Sequence, residues 1–287
     1  MGRFTDRFRV TRVRASSAEG ARPAWDVDTR ADVVAVEEPL EIRVGGTTLT
    51  TTMRTPGADI ELVHGFLLAE SIIRGADDIA TARYCAGATG PDGRNTYNVI
   101  EVELAPGVAP VRPEQQRLVT TTSACGVCGS ASIDTLLANR TCAAPGATIP
   151  PDVLLAAPGL LRSEQEGFRR TGGMHAAGLV RTDGSVLVVR EDIGRHNAAD
   201  KVIGWGLMNG VLPAGDIILA MSSRASFELV HKAVLAGVGA LAAVSAPSSL
   251  AIETAREAGL VLAAFVSGSR MNLYAHADRV LPGDPRL

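Results

Sequence analysis

The stretch from residue 216 to residue 270, DIILAMSSRASFELVHKAVLAGVGALAAVSAPSSLAIETAREAGLVLAAFVSGSR, decides the fold. Apolar runs over 216–221, 240–245 and 260–266 alternate in it with helical patterns over 226–237 and 248–258. Strands separated by helices of that length form right-handed crossovers, which implies a parallel sheet covered by helices on its faces. Just upstream, a helical pattern spans 196–208, and Met174–Val180 and Val186–Arg190 flank Asp183-Gly184 as the arms of a β-hairpin. The expected architecture is α/β: a β-hairpin followed by βαβ units over residues 171–287, forming a mixed sheet with helices on both faces.

A smaller α+β part is expected over residues 31–120. Val33, Val34 and Val36, then Leu40, Ile42 and Val44, run to Gly45-Gly46 before Thr47–Met53, which reads as a hairpin. Ile60, Val63, Phe66, Leu67 and Ile73 recur at helical spacing over 58–73, with Asp59 and Glu61 in the first turn. Residues 80–104 hold two strands around the turn Gly90-Pro91-Asp92-Gly93. Residues 121–170 carry a cysteine loop opening onto a helix that runs to about Asn139, then a Pro-rich connection over 145–158 and a helix around 160–168. Residues 1–30, rich in Arg, Ala, Ser and Gly without an apolar period, read as a loosely ordered extension.

The 287 residues are 46% hydrophobic and carry a formal charge of −3, so no global field draws the chain to nucleic acid or an anionic membrane. At 4% aromatic content there is little material for base-stacking platforms. The first residues have arginines but no apolar h-region, and the most apolar stretch, 233–246, falls short of the roughly 20 residues a membrane span needs. A cytoplasmic protein is expected. Four cysteines are too few for a disulfide framework, and a cytosolic Cys-x-x-Cys points to metal, redox or sulfur chemistry.

That motif is Cys125-Gly126-Val127-Cys128-Gly129. A loop-to-helix position lowers a thiol's pKa and favours the nucleophilic thiolate, and flanking glycines allow another molecule to approach closely. Reactive thiols are the favoured reading. Half of a zinc site is the alternative, with Cys85, Cys142, His175 or His196 as distant ligands, and a thioredoxin-type redox pair is a third. Cys85 and Cys142 themselves read as small apolar residues.

A second constellation gathers at three strand ends: Ser222-Ser223-Arg224, Ser245 with Ser248-Ser249, and Ser267-Gly268-Ser269-Arg270. In a parallel sheet these ends share one edge, where ligands bind and helix N-termini favour phosphate. Ser248 and Ser249 read as helix caps, whereas Arg224, Arg270 and Gly268 read as ligand contacts. The third constellation, Arg190-Glu191-Asp192-Ile193-Gly194-Arg195-His196-Asn197 with Asp200 and Lys201, sits at a strand-to-helix junction. His196 could there position a ligand or shift a proton; a solvated helix start with Asp192 near the cap is the equal alternative. Gly172-Gly173-Met174-His175 places His175 at a strand start facing the same cleft. His64, in an apolar helix, reads as structural.

Together with Arg54-Thr55-Pro56-Gly57, Glu61-Leu62 and Gly65-Phe66-Leu67, these segments resemble the FdhD family, the accessory sulfurtransferases of formate dehydrogenase, from about residue 37 to about residue 280. The resemblance implies a persulfide relay. A cysteine desulfurase loads Cys125, with Cys128 as partner or alternate carrier, and sulfur passes to the molybdenum of a bis(molybdopterin guanine dinucleotide) cofactor destined for formate dehydrogenase. That cofactor is cargo, and no metal of the protein's own is implied. Its guanine nucleotide moiety would be held by Phe265, Val266, Ser267, Gly268, Ser269 and Arg270, with Ser222, Arg224, His175 and His196 nearby on the same edge. The resemblance further implies a core like that of cytidine deaminases and a homodimer. Two rivals stand beside it. A zinc-dependent deaminase-like hydrolase would need His-x-Glu and Pro-Cys-x-x-Cys, yet Ala124 precedes Cys125 and no histidine is followed two residues on by Glu. A cofactor-binding chaperone that moves no sulfur is the other.

Overall fold

The structure, a computed structural model, describes residues 4–16, 24–85, 89, 95–112 and 147–283. Cys125, Cys128, Cys142, the helix expected to run to Asn139 and the turn at 90–93 lie outside the described residues.

The C-terminal sheet has the order β12-β11-β10-β9-β7-β8. β9 (Ala214–Met221), β10 (Val238–Ala243) and β11 (Val261–Ser267) are parallel, as expected. β7 (His175–Arg181) pairs antiparallel with both β8 (Val186–Asp192) and β9, and β12 (Arg270–Ala275) is antiparallel to β11, so the sheet is mixed. Side-chain alternation explains why the strands read as unbroken apolar runs. In β9, Ile217, Leu219 and Met221 face one core cluster while Ile218 and Ala220 face another. The first cluster takes in α4 (Arg195–Met208), α5 (Phe227–Leu235) and α6 (Ser249–Ala258). The second packs α2 (Pro151–Glu164) on a face lined largely by alanines, including Ala176, Ala220, Ala240 and Ala263.

The N-terminal sheet, order β4-β3-β6-β5, is built from β3 (Glu38–Val44), β4 (Thr47–Arg54), β5 (Ile79–Tyr84) and β6 (Val99–Leu104). Gly45 and Gly46, with φ of 57° and 80°, make the hairpin turn between β3 and β4. Leu40, Ile42, Leu49, Ile100 and Val102 join the first core cluster through α1 (Asp59–Ala69), so one apolar body unites both sheets. The joint is a close helix crossing. A Cβ at Gly204 in α4 would collide with the Glu61 carbonyl, and one at Gly65 in α1 with the Asp200 carbonyl.

Two expectations need correction. Much of residues 1–30 is not loose: β1 (Thr5–Ser16) and β2 (Ala24–Ala35) pair along their length as an antiparallel ribbon, and Val33–Ala35 belong to β2 rather than to the next hairpin. The ribbon has no core face; Phe8, Val13, Val27 and Trp25 are 55, 55, 57 and 62% exposed, which is why no apolar period announces it. The helix expected near residue 160 starts at Pro151, because proline after Pro150 suits a first helical position; it is followed by a separate short α3 (Glu166–Thr171). Beyond β11 a tight turn leads into β12, a strand the sequence reading did not include, whose alternation of exposed Arg270 and Asn272 with half-buried Met271 and Leu273 marks an edge strand.

Candidate functional site

The parallel strands deliver their carboxyl ends to one edge, and a cleft of about 640 Å³ opens there. Ser222 after β9, Val244 after β10, and Val266 and Ser267 of β11 form its sheet side, and His175 at the start of β7 adjoins them. The opposite wall comes from Gly159, Leu161 and Arg162 of α2, from Gln165 and Phe168, and from the Gly172-Gly173-Met174 turn. The Arg162 guanidinium lies 5.9 Å from the centre of the Phe168 ring. Residues 158–168 were not anticipated as site residues; only the Gly-Gly turn before His175 pointed to that wall.

Ser222 ties the edge together. Its Oγ accepts from Ala176 N at 2.8 Å and its N–H donates to the Ala176 carbonyl at 3.0 Å. Burial lowers the His175 pKa, with the nearby Arg195 charge lowering it further against the pull of Asp192. Below its ordinary value, the ring is neutral at pH 7 and offers the cleft a hydrogen bond rather than a charge. Arg195 Nε is buried and has no hydrogen-bond partner. A buried N–H left without an acceptor is costly, and a water or an ion would relieve it.

The remaining expected contacts stand around the cleft rather than in its lining. Phe265 is 41% exposed and left-handed at φ 51°, its N–H donating to the Ser245 carbonyl at 3.3 Å. Gly268, Ser269 and Arg270 are exposed at the β11–β12 turn, and Arg224 is exposed where the chain leaves β9 for α5. His196, on the first turn of α4, has Nε2 3.5 Å from Ser226 Oγ and 4.0 Å from Glu228 Oε2. Ser248 caps α6 as expected, its Oγ accepting from Ala251 N at 3.2 Å. His64 is buried in α1, where its Nδ1 lies 2.8 Å from the Ile60 carbonyl.

Most of the third constellation is a buried lock. Asp192, fully buried, meets Lys201 Nζ at 2.7 Å and accepts from Thr55 N at 3.1 Å, Gly194 N at 2.8 Å and Asn197 Nδ2 at 3.1 Å. Lys201 also donates to the carbonyls of Thr55 at 2.9 Å and Glu191 at 3.3 Å. Beside it, Arg54 and Asp59 form a second buried pair at 3.0 Å, and Asp200 meets Lys232 at 2.6 Å. Polar density at this junction therefore fastens the N-terminal part to the strand ends that carry His175. Among the described residues no group of three or more His, Cys, Asp or Glu side chains is placed to hold a metal ion, and no helix is long and apolar enough to cross a membrane.

The fold is a mixed α/β body with a polar-edged cleft at the strand ends, and its lineage is plain: the chain belongs to the FdhD/NarQ family, whose model matches residues 35–281. It is 55% identical over 282 residues to a Corynebacterium efficiens chain called sulfur carrier protein FdhD, covering 96% of this chain and 99% of that one. A Nocardia farcinica chain of the same name is 54% identical over 281 residues, with 97% and 96% covered. A crystal structure from Desulfotalea psychrophila, described as a formate dehydrogenase accessory protein, superposes with a TM-score of 0.71 over 95% of this chain and 99% of that one. At 21% identity, that likeness speaks for the fold alone.

Proposed function

We propose that this chain is a sulfur carrier of the formate dehydrogenase accessory pathway. What carries the reading is its identity, at about half of all positions over 96–97% of the chain, to chains named for that role, together with the Cys125-Gly126-Val127-Cys128-Gly129 sequence motif. In the loading step the Cys125 thiolate attacks the outer sulfur of a cysteine desulfurase persulfide. The donor's S–S bond breaks, its cysteine leaves as thiolate, and Cys125 holds the new S–S bond; Cys128 assists or takes the sulfur in turn.

The acceptor in this reading is the molybdenum of a bis(molybdopterin guanine dinucleotide) cofactor bound as substrate. The cleft residues fit its nucleotide end. The Gly172-Gly173 backbone offers close approach without a Cβ, the Ser222 and Ser267 hydroxyls and neutral His175 offer hydrogen bonds, and Arg162 suits phosphate, with the Arg195 charge acting on His175 from outside the lining. Phe265 and the 268–270 turn stand beside it as outer contacts. Formate dehydrogenase then receives the sulfurated cofactor. The same reading takes the protein as a cytoplasmic homodimer with a deaminase-like core, which the hairpin leading into parallel βαβ units supports.

The test separates relay from chaperone. Cys125→Ser should bind GDP as the unaltered protein does yet fail to activate apo formate dehydrogenase in the presence of desulfurase and cysteine. Full activation would leave the protein a cofactor chaperone, and no GDP binding by the unaltered protein would remove the cleft from the account.

A further inference from the structure

We propose that Glu191 is a positioning residue of the cleft: its carboxylate holds the start of α3, and so fixes the wall of Phe168, Gly172 and Gly173 against which the cargo's nucleotide rests. The inference rests on reading the cleft as the cargo site. Glu191 lies in β8, paired with Ala176 of β7 and one residue from the buried Asp192. Its Oε2 accepts from Gly167 N and its Oε1 from Phe168 N, both at 2.7 Å. Two adjacent N–H groups on the two oxygens of one carboxylate fix both the position and the direction of the chain they belong to.

Within α3 the Thr171 hydroxyl donates to the Gly167 carbonyl at 2.8 Å, which leaves the Gly167 and Phe168 N–H groups to Glu191. The helix has six residues and no side-chain cap of its own, too short to hold its shape by internal hydrogen bonds. The strand that carries Glu191 is rigid by contrast, since the Lys201 ammonium holds the Glu191 carbonyl at 3.3 Å and the Asp192 carboxylate at 2.7 Å. On its other side α3 has no slack: a Cβ at Gly167 would stand 2.5 Å from both the Met174 sulfur and the Phe4 ring. The far end of α3 leaves through Gly172, left-handed at φ 66°, directly into Gly173, Met174 and His175, all of which line the cleft. Glu191 itself is not part of the cleft lining. It sets where Phe168, Gly172 and Gly173 stand.

Glu191→Gln keeps the side chain's size but replaces one acceptor with an NH2 group that opposes a backbone N–H, so one of the two bonds is lost. Calorimetric titration with GDP should show affinity about fivefold weaker, the equivalent of one hydrogen bond. Hydrogen exchange should accelerate by about the same factor at residues 167–172 while β9 and β10 keep their protection. Unchanged GDP affinity in a variant whose parent binds GDP would overturn the inference. Loosening spread evenly through β7, β8 and β9 would overturn it too, since Glu191 would then be a general stability residue. If the parent itself fails to bind GDP, the cargo reading falls, and the exchange data still decide whether Glu191 fixes α3.

Discussion

Lys201→Met removes the cation at the centre of the buried lock while keeping most of its apolar stem. Three contacts go with it: Asp192 Oδ2 at 2.7 Å and the carbonyls of Thr55 at 2.9 Å and Glu191 at 3.3 Å. Left behind is a fully buried carboxylate. Removing one partner of a buried ion pair costs about 3–5 kcal/mol because the other charge stays uncompensated. Asp192 keeps three donors, Thr55 N, Gly194 N and Asn197 Nδ2, which places the loss near the lower end, about 3 kcal/mol. For a chain of this size each kcal/mol moves the melting temperature by about 2–3 °C, so a fall of about 6–9 °C is expected by calorimetry or circular dichroism. Adding Asp192→Asn should cost less than the sum of the two single changes, since it removes the stranded charge. A fall below about 2 °C for Lys201→Met would mean that Asp192 needs no cation there, and the lock would not be what joins the N-terminal part to the strand ends.

Arg195→Gln should weaken GDP binding about tenfold while the melting temperature of the free protein holds or rises, because an unpaired buried N–H costs about 1–3 kcal/mol; a lower melting temperature with unchanged affinity would make Arg195 structural. Because His175 lies below its ordinary value of 6.5, the unfolded chain takes up this proton more readily than the native one. The ring's contribution is present above about pH 6.5 and lost as pH falls below it, so His175→Gln should flatten the decline in melting temperature between about pH 7 and 5. An unflattened decline would point to His64, which burial depresses in the same direction. Asp200 has the opposite sign: burial carries its carboxyl up to about 6 despite Lys232, so stability is gained as pH falls from about 6 toward 4, and Asp200→Asn should abolish that gain in a pH series of melting curves.

The parallel β9-β10-β11 core was legible because each strand is buried on both faces and each helix between them is amphipathic, so periodicity and length agree. The ribbon of β1 and β2 was not, since cross-strand pairs such as Val13 with Val27 and Arg14 with Asp26 emerge only when the two strands are laid side by side. Of the residues assigned from sequence to the strand-end edge, Ser222, Val266, Ser267 and His175 line one cleft. Its facing wall was invisible, because no local pattern tells that α2 and α3 fold back over the sheet edge. The density of charge from Arg190 to Lys201 was visible in the sequence, read there as a ligand-positioning site or a solvated helix start. What it could not reveal was burial: Asp192 and Lys201 are nine residues apart in a sequence that looks solvated, yet both are almost wholly enclosed, because Thr55 from another part of the chain completes their hydrogen bonds.

Whether sulfur resides on Cys125 is the most direct question to ask of this protein. The measurement is peptide mass spectrometry after incubation with a cysteine desulfurase and cysteine, with the thiols trapped by alkylation. The account predicts the mass of one added sulfur atom on the peptide containing Cys125, its retention in Cys128→Ser and its loss in Cys125→Ser, whose hydroxyl cannot ionise near neutral pH as a thiol can. An unmodified Cys125 under conditions in which the desulfurase itself carries a persulfide would contradict the sulfur-carrier account.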